Sequence, residues 1–184
     1  AANAAATAID TDVAVFVDVA IDRSSSVIAV CGANADGVPQ VEIARMDAST
    51  DWVAEKVAAM IADHGVLAVG ARSAGPVASL LAELASISDE ADVPFHKVGS
   101  GEFSGMCGAM FDAAMTGTIR HRDDARINDA LAAAKRHRVV DGWSWERLNV
   151  DTDAAPLVAA TGAHAVYLLH KDEVVSYDAA LSVY

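Results

Sequence analysis

Cysteine, basic charge and long apolar runs are all scarce in this sequence, and each scarcity excludes something. There are only two cysteines, Cys31 and Cys107. Each sits inside an apolar pattern far from the other, so they read as reduced core residues and not as a disulfide framework or a zinc site. No apolar run approaches the ~18 residues of a membrane span, and no basic segment leads into a signal-type apolar stretch. The Gly-x-x-x-x-Gly-Lys-Ser/Thr phosphate loop is missing, which excludes a P-loop ATPase. Neither a nucleotide-type glycine-rich loop nor a nucleophile–base pair is visible, since Gly99-Ser100-Gly101 has only the form of a helix cap. This weakens any reading as an unrelated α/β enzyme for small molecules. Lys and Arg number 13 against 26 Asp and Glu, for a net charge of -13. That balance argues against a simple nucleic-acid binder, because DNA affinity is dominated by basic contacts to phosphate.

What is present is an Ala- and Val-rich chain, 53% apolar and 184 residues long. It is enough for one domain with a sizeable core and little room for a second. The opening Ala1–Ala8 is small, bland and without Met, and reads as a fragment boundary or a processed terminus. Residues 13–19 and 27–31 are β-branched apolar runs, and 41–46 alternate in period two, with turn residues between them (Asp22–Ser26 and Asn34–Gly37). Three successive strands on short connections predict an antiparallel meander. The rhythm then changes to helical spacing over Asp51–His64, capped by Ser49 or Thr50. A strand at 66–69, a helix opened by Pro76, a strand at 95–98 and a helix over 103–114 follow. Strands alternating with helices put the later strands parallel to one another. The last third reads as helix-rich, with one helix from Asp124 to His137 burying Ile127, Ala130, Leu131 and Ala134. No internal repeat or low-complexity linker appears. The expectation is an α/β domain over residues 10–170 with a C-terminal tail at 171–184, on the plan of a ribonuclease H-like mixed sheet whose first three strands are antiparallel.

Charge is unevenly distributed. Seven of the 13 basic residues fall between 120 and 147: Arg120, Arg122, Arg126, Lys135, Arg136, Arg138 and Arg147. Either this block is a solvated helix face or it is a local phosphate-binding surface. Asp18 interrupts the apolar first strand, where a half-buried carboxylate costs several kcal/mol unless something pairs with it. A hard divalent cation would be one such partner, and a strand-edge turn cap would be the plainer explanation. Asp22 follows in the turn, an ordinary place for Asp. Asp153, shortly before Pro156, reads as a helix cap. His164, on the apolar stripe of the helix that follows, reads as a core histidine.

Four stretches together resemble the nuclease domain of phage terminase large subunits of the actinobacterial phage and prophage type. They are Phe16-Val17-Asp18-Val19-Ala20-Ile21-Asp22-Arg23-Ser24-Ser25, then Thr118-Ile119-Arg120-His121, then Arg136 to Trp145, then Asp153 to Thr161. The similarity spans roughly residues 13–168. It implies a ribonuclease H-like, metal-dependent endonuclease that cuts concatemeric double-stranded DNA with two Mg²⁺ or Mn²⁺ ions. Asp18 and Asp153 would be the catalytic and metal-binding acids, Asp22 a further metal ligand, and Asp141 and Asp151 support. DNA would lie on Arg120, Arg122, Lys135, Arg136, Arg138 and Arg147. The implied partners are a terminase ATPase domain, absent from this chain, the small terminase subunit and the portal. The implied setting is the bacterial host cytoplasm, with no membrane. One departure stands out, because the family's acidic residue at the end of the fourth strand is expected where Gly70 stands in Val69-Gly70-Ala71-Arg72. That substitution favours, as the alternative, a non-catalytic ribonuclease H-like module that binds DNA or docks on the motor.

Overall fold

A computed structural model describes residues 8–140, 142–148 and 152–172. Its elements are β1 (Val13–Val19), β2 (Ser26–Ala33), β3 (Pro39–Asp47), α1 (Val53–Asp63), β4 (Val66–Arg72), α2 (Leu81–Glu90), β5 (Phe95–Val98), α3 (Ser100–Thr116), β6 (Arg120–His121), α4 (Ala125–Ala132), β7 (Arg136–Val139), β8 (Gly142–Trp145) and α5 (Ala155–His170). Six strands form one mixed sheet in the order β5-β4-β1-β2-β3-β6, and β7 and β8 make a separate hairpin. As expected, β1, β2 and β3 are antiparallel neighbours. β4 lies parallel to β1, and β5 parallel to β4. This is the ribonuclease H-like arrangement.

The period-two alternation in β1 divides the core. Val15, Val17 and Val19 face one layer with Val53, Val57 and Leu84 of α1 and α2. Ala14 and Phe16 face the other, built from α3, α4 and α5. The most enclosed helix is α5, buried from Ala155 through His164. It seats closely because Gly162 has no side chain: a Cβ there would run into the Phe16 ring. Phe16 fills that space and is itself fully buried. Leu157, Thr161 and His164 of the expected stripe are buried, whereas Leu168 is partly exposed in the last turn. Cys31 and Cys107 are free and buried, as expected of core thiols.

Several expectations are corrected. The cap foreseen from Ser49 or Thr50 is not made, since α1 starts after Trp52 without a side-chain cap. Ser49 instead sits at φ 62°, and its carbonyl accepts from the Ser26 hydroxyl at 2.5 Å. The fourth strand runs three residues beyond 69, to Arg72. The helix foreseen from Asp124 to His137 ends at Ala132, and Leu131, in its last turn, is 40% exposed instead of buried. Arg136–Val139 are extended and pair with Gly142–Trp145. Residues 173–184 of the expected tail lie outside the described residues, as do Asp141 and Asp151.

Candidate functional site

β1 and β4 run parallel, so their carboxyl ends open on the same side of the sheet, where α/β folds place their ligand crevices. Asp18 stands at this end of β1 and is fully buried. Its partner comes from the segment after β8. Arg147 Nη2 donates to Asp18 Oδ2 at 2.6 Å and to the Val19 carbonyl at 2.7 Å. The Arg147 side chain is only 8% exposed. Asp18 Oδ1 and Arg147 Nε and Nη1 are buried without hydrogen-bond partners among the described residues. Burial pushes the Asp18 carboxyl up to about 6, against the lowering effects of Arg147 and then Arg72, while the Asp153 charge adds a further upward push. Desolvation therefore outweighs the ion pair at this carboxyl.

Asp153 precedes Ala154, the N-cap of α5, which has no side-chain cap, and its Oδ1 accepts from the Ala155 amide at 2.8 Å. Its other oxygen accepts from the Ser25 hydroxyl, a contact across 128 positions that nothing in the local sequence announces. Asp22 is exposed and closes a turn, its Oδ1 accepting from the Ser24 amide at 2.9 Å and the Ser24 hydroxyl at 2.6 Å. Those bonds, the hydroxyl's foremost, hold the Asp22 carboxyl below its ordinary range. Asp22, Ser24, Arg147, Thr152 and Asp153 line one cleft of about 360 Å³. Asp18 lies beneath it, tied to Arg147.

The register relocates the departure from the acidic pattern. Phe16 pairs with Gly70 and Val17 with Ala71, so the β4 residue level with Asp18 is Arg72. Gly70 is buried two residues earlier, where a Cβ would lie 2.7 Å from Phe16 Cδ2 and 3.1 Å from Val166 Cγ2. Its lack of a side chain leaves room for Phe16 and Val166. Arg72, at the level where an acid was sought, brings a second cation to Asp18 and stacks 4.8 Å over the Phe103 ring. Burial, then the charge of Arg147, lowers its pKa.

The basic block does not gather on one surface. Arg147 stands apart from the rest, buried as the partner of Asp18. Arg120 turns back onto the Gly117 and Ile119 carbonyls at the end of α3. It pairs across from Gln40, at the end of the sheet opposite Asp18. Arg122 approaches Glu42 at 3.9 Å. Arg126 is held by Asp124 at 2.6 Å and donates to the Ile43 carbonyl. The exposed remainder is the hairpin region, with Lys135, Arg136 and Arg138. The Arg136 guanidinium stacks over Phe111 at 4.3 Å and Trp143 at 4.7 Å. Trp145 anchors the hairpin to α5 by donating from Nε1 to Thr161 Oγ1 at 2.8 Å.

A pair of divalent ions needs several free carboxylates, because their mutual repulsion must be offset by surrounding negative charge. Among the described residues no three His, Cys, Asp or Glu side chains converge in that way. Asp18 is taken by Arg147 and faced by Arg72, Asp153 is engaged by Ser25 and α5, and Asp22 by Ser24. In this arrangement the side chains do not fit two divalent ions. His164 is buried with Nδ1 unpartnered among the described residues, and burial depresses its pKa to about 4.

No family model matches this chain, and no curated protein matches it significantly. Solved structures do. The HK97 bacteriophage large terminase superposes with a TM-score of 0.69 at 12% identity, over 85% of this chain and 40% of that one. This chain thus spans well under half of the HK97 protein. The large terminase nuclease from thermophilic phage G20c matches with a TM-score of 0.62 at 13% identity, over 85% and 82% of the two chains. The same nuclease with bound magnesium gives 0.61 at 15% identity, over 85% and 82%. The chain has the fold of the phage large-terminase nuclease domain.

Proposed function

We propose that this chain is the nuclease domain of a viral DNA-packaging terminase large subunit, acting on double-stranded DNA. In that setting it works beside an ATPase domain, the small terminase subunit and the portal. Asp18 and Asp153 are the acids of its centre, and Lys135, Arg136 and Arg138 of the hairpin region contact the DNA backbone. The observation that carries this is the fold likeness to large terminase nucleases, joined to a buried acid at the carboxyl end of β1 and a second acid just before α5. Cleavage by the chain as it stands is weak, because Arg147 and Arg72 hold the charge that divalent ions would otherwise supply. The same two arginines favour a second reading, a DNA-holding module that does not cut.

Supercoiled plasmid incubated in parallel with Mg²⁺ and Mn²⁺ separates the readings. Slow nicking, faster in Mn²⁺ and abolished by Asp18→Asn, is the expected result, since Mn²⁺ generally binds oxygen and nitrogen sites more tightly than Mg²⁺. Plasmid retained on the protein without nicking in either ion supports the holding module. A chain that neither nicks nor retains DNA is not a terminase nuclease domain.

A further inference from the structure

The environment of Arg147 holds more polar capacity than the Asp18 pair uses. A guanidinium presents five N–H donors in a rigid planar fork. Here a single nitrogen, Nη2, serves both Asp18 and the Val19 carbonyl, while Nε and Nη1 have no partner among the described residues. The side chain is more than nine-tenths buried and lines the cleft that also holds Ser24 and Thr152. Nη1 lies towards Gly75, where a Cβ would sit 3.9 Å away. A second guanidinium, Arg72, is close enough to bear on both Asp18 and Arg147. A buried cation, Arg147, and a half-buried one, Arg72, therefore stand beside one buried carboxylate. The other acids of the cleft, Asp22 and Asp153, are already hydrogen-bonded to Ser24, Ser25 and the Ala155 amide.

A buried guanidinium with spare donors is matched to an anionic oxygen, and a phosphate oxygen suits its fork geometry. We infer that Arg147 forms a metal-independent phosphate site, bridging Asp18 on one edge and a backbone phosphate of DNA on the other. This rests on the proposed function, and it places in one side chain the bridging of carboxylate to phosphate that a divalent ion performs in a metal nuclease. Arg147 is a binding residue in this account, and no bond is broken at it. Lysine would keep the charge opposite Asp18 but lose the fork.

The test follows the Nε–H resonance of Arg147 in ¹⁵N-labelled protein with EDTA present, assigned by its loss in Arg147→Lys. Short blunt duplex DNA, inorganic phosphate and Mg²⁺ are titrated separately. A shift produced by duplex DNA in EDTA, with Arg147→Lys weakening metal-free duplex binding on the order of tenfold, is the expected result. A shift with inorganic phosphate, with duplex neither moving the resonance nor binding by fluorescence anisotropy, leaves the phosphate site standing and removes its DNA ligand, and with it the proposed function. Duplex that binds by fluorescence anisotropy without moving the resonance overturns the Arg147 site and leaves the proposed function intact. Mg²⁺ alone displacing Arg147 from Asp18 also overturns it, since the cation position would then belong to a metal. Arg147→Lys preserves the ion pair with Asp18, so it avoids the unpaired buried carboxylate that an alanine would leave.

Discussion

Replacing Gly70 by Asp tests the placement of the acidic centre most directly. If Gly70 marked a lost metal ligand, the aspartate would restore a carboxylate to the site and disturb folding little. The register and packing say the opposite. A Cβ at position 70 meets Phe16 Cδ2 at 2.7 Å, Phe16 Cε2 at 3.0 Å and Val166 Cγ2 at 3.1 Å. Phe16 is enclosed by Gly70 on β4 and Gly162 on α5, so its ring has nowhere to retreat. Overpacking of this kind costs about 1–3 kcal/mol. The carboxylate would enter an apolar layer without a partner, at about 2–3 kcal/mol or more even if it stays protonated. Together the loss is about 3–6 kcal/mol, a large share of the ~5–15 kcal/mol that stabilises a typical domain. At about 2–4 °C per kcal/mol for a chain of this size, Gly70→Asp lowers Tm by roughly 6–24 °C. Gly70→Ala, which adds only the Cβ, loses about 1–3 kcal/mol. Thermal melts by far-ultraviolet circular dichroism, with urea titrations for the free energies, measure both. A Gly70→Asp protein that melts within a few degrees of the parent and gains Mg²⁺-dependent nicking would refute the argument and put Gly70 in the acidic centre.

Two further outcomes follow from the hairpin region and from the buried histidine. Replacing Lys135, Arg136 and Arg138 together by Ala weakens duplex binding and flattens the log–log salt dependence by up to about 3, one per lost phosphate contact; an unchanged slope means that these side chains are only a solvated surface. His164 is held neutral by burial, with its pKa depressed to about 4, so its contribution to stability is intact above pH 6.5 and declines as pH falls towards 4. The Asp18 carboxyl, raised to about 6 by burial, acts in the reverse sense, its contribution being present below pH 3.8 and lost as pH rises through 6. The two slopes oppose each other in the wild-type protein between pH 4 and 6. His164→Met leaves the Asp18 slope exposed, so the urea midpoint of the variant rises on acidification from pH 6 to 4 relative to the parent. Parallel midpoint curves for the two proteins would show that His164 is not buried neutral.

Patterns of short range are legible in the sequence. Period-two alternation locates β1, β2 and β3, helical spacing locates α1 to α3, and an acid inside an apolar strand singles out Asp18 by sequence alone. Asp153 is legible as a residue at the start of α5, where its carboxylate accepts from the Ala155 amide two residues on, although Ala154 is the N-cap. The hairpin of β7 and β8 escapes such a reading because a run rich in Lys, Arg and His carries no helical or strand period. Its one local signal is the Asp141-Gly142 pair, followed by Trp143 and Trp145 two apart.

Everything that decides the chemistry at Asp18 comes from farther along the chain. Arg147 lies 129 positions away and reaches the carboxylate from the segment after Trp145, which is anchored to Thr161 on α5. Ser25 reaches Asp153 because β2 begins beneath the start of α5. Which residue of β4 stands beside Asp18 depends on the β1–β4 register, and that register shifts between Val13 and Ala14. A shift of this kind slides one strand along its neighbour while leaving each strand's own sequence pattern unchanged. Local sequence can therefore place a strand and its buried face. Only the assembled sheet sets Arg72 level with Asp18 and Gly70 against Phe16.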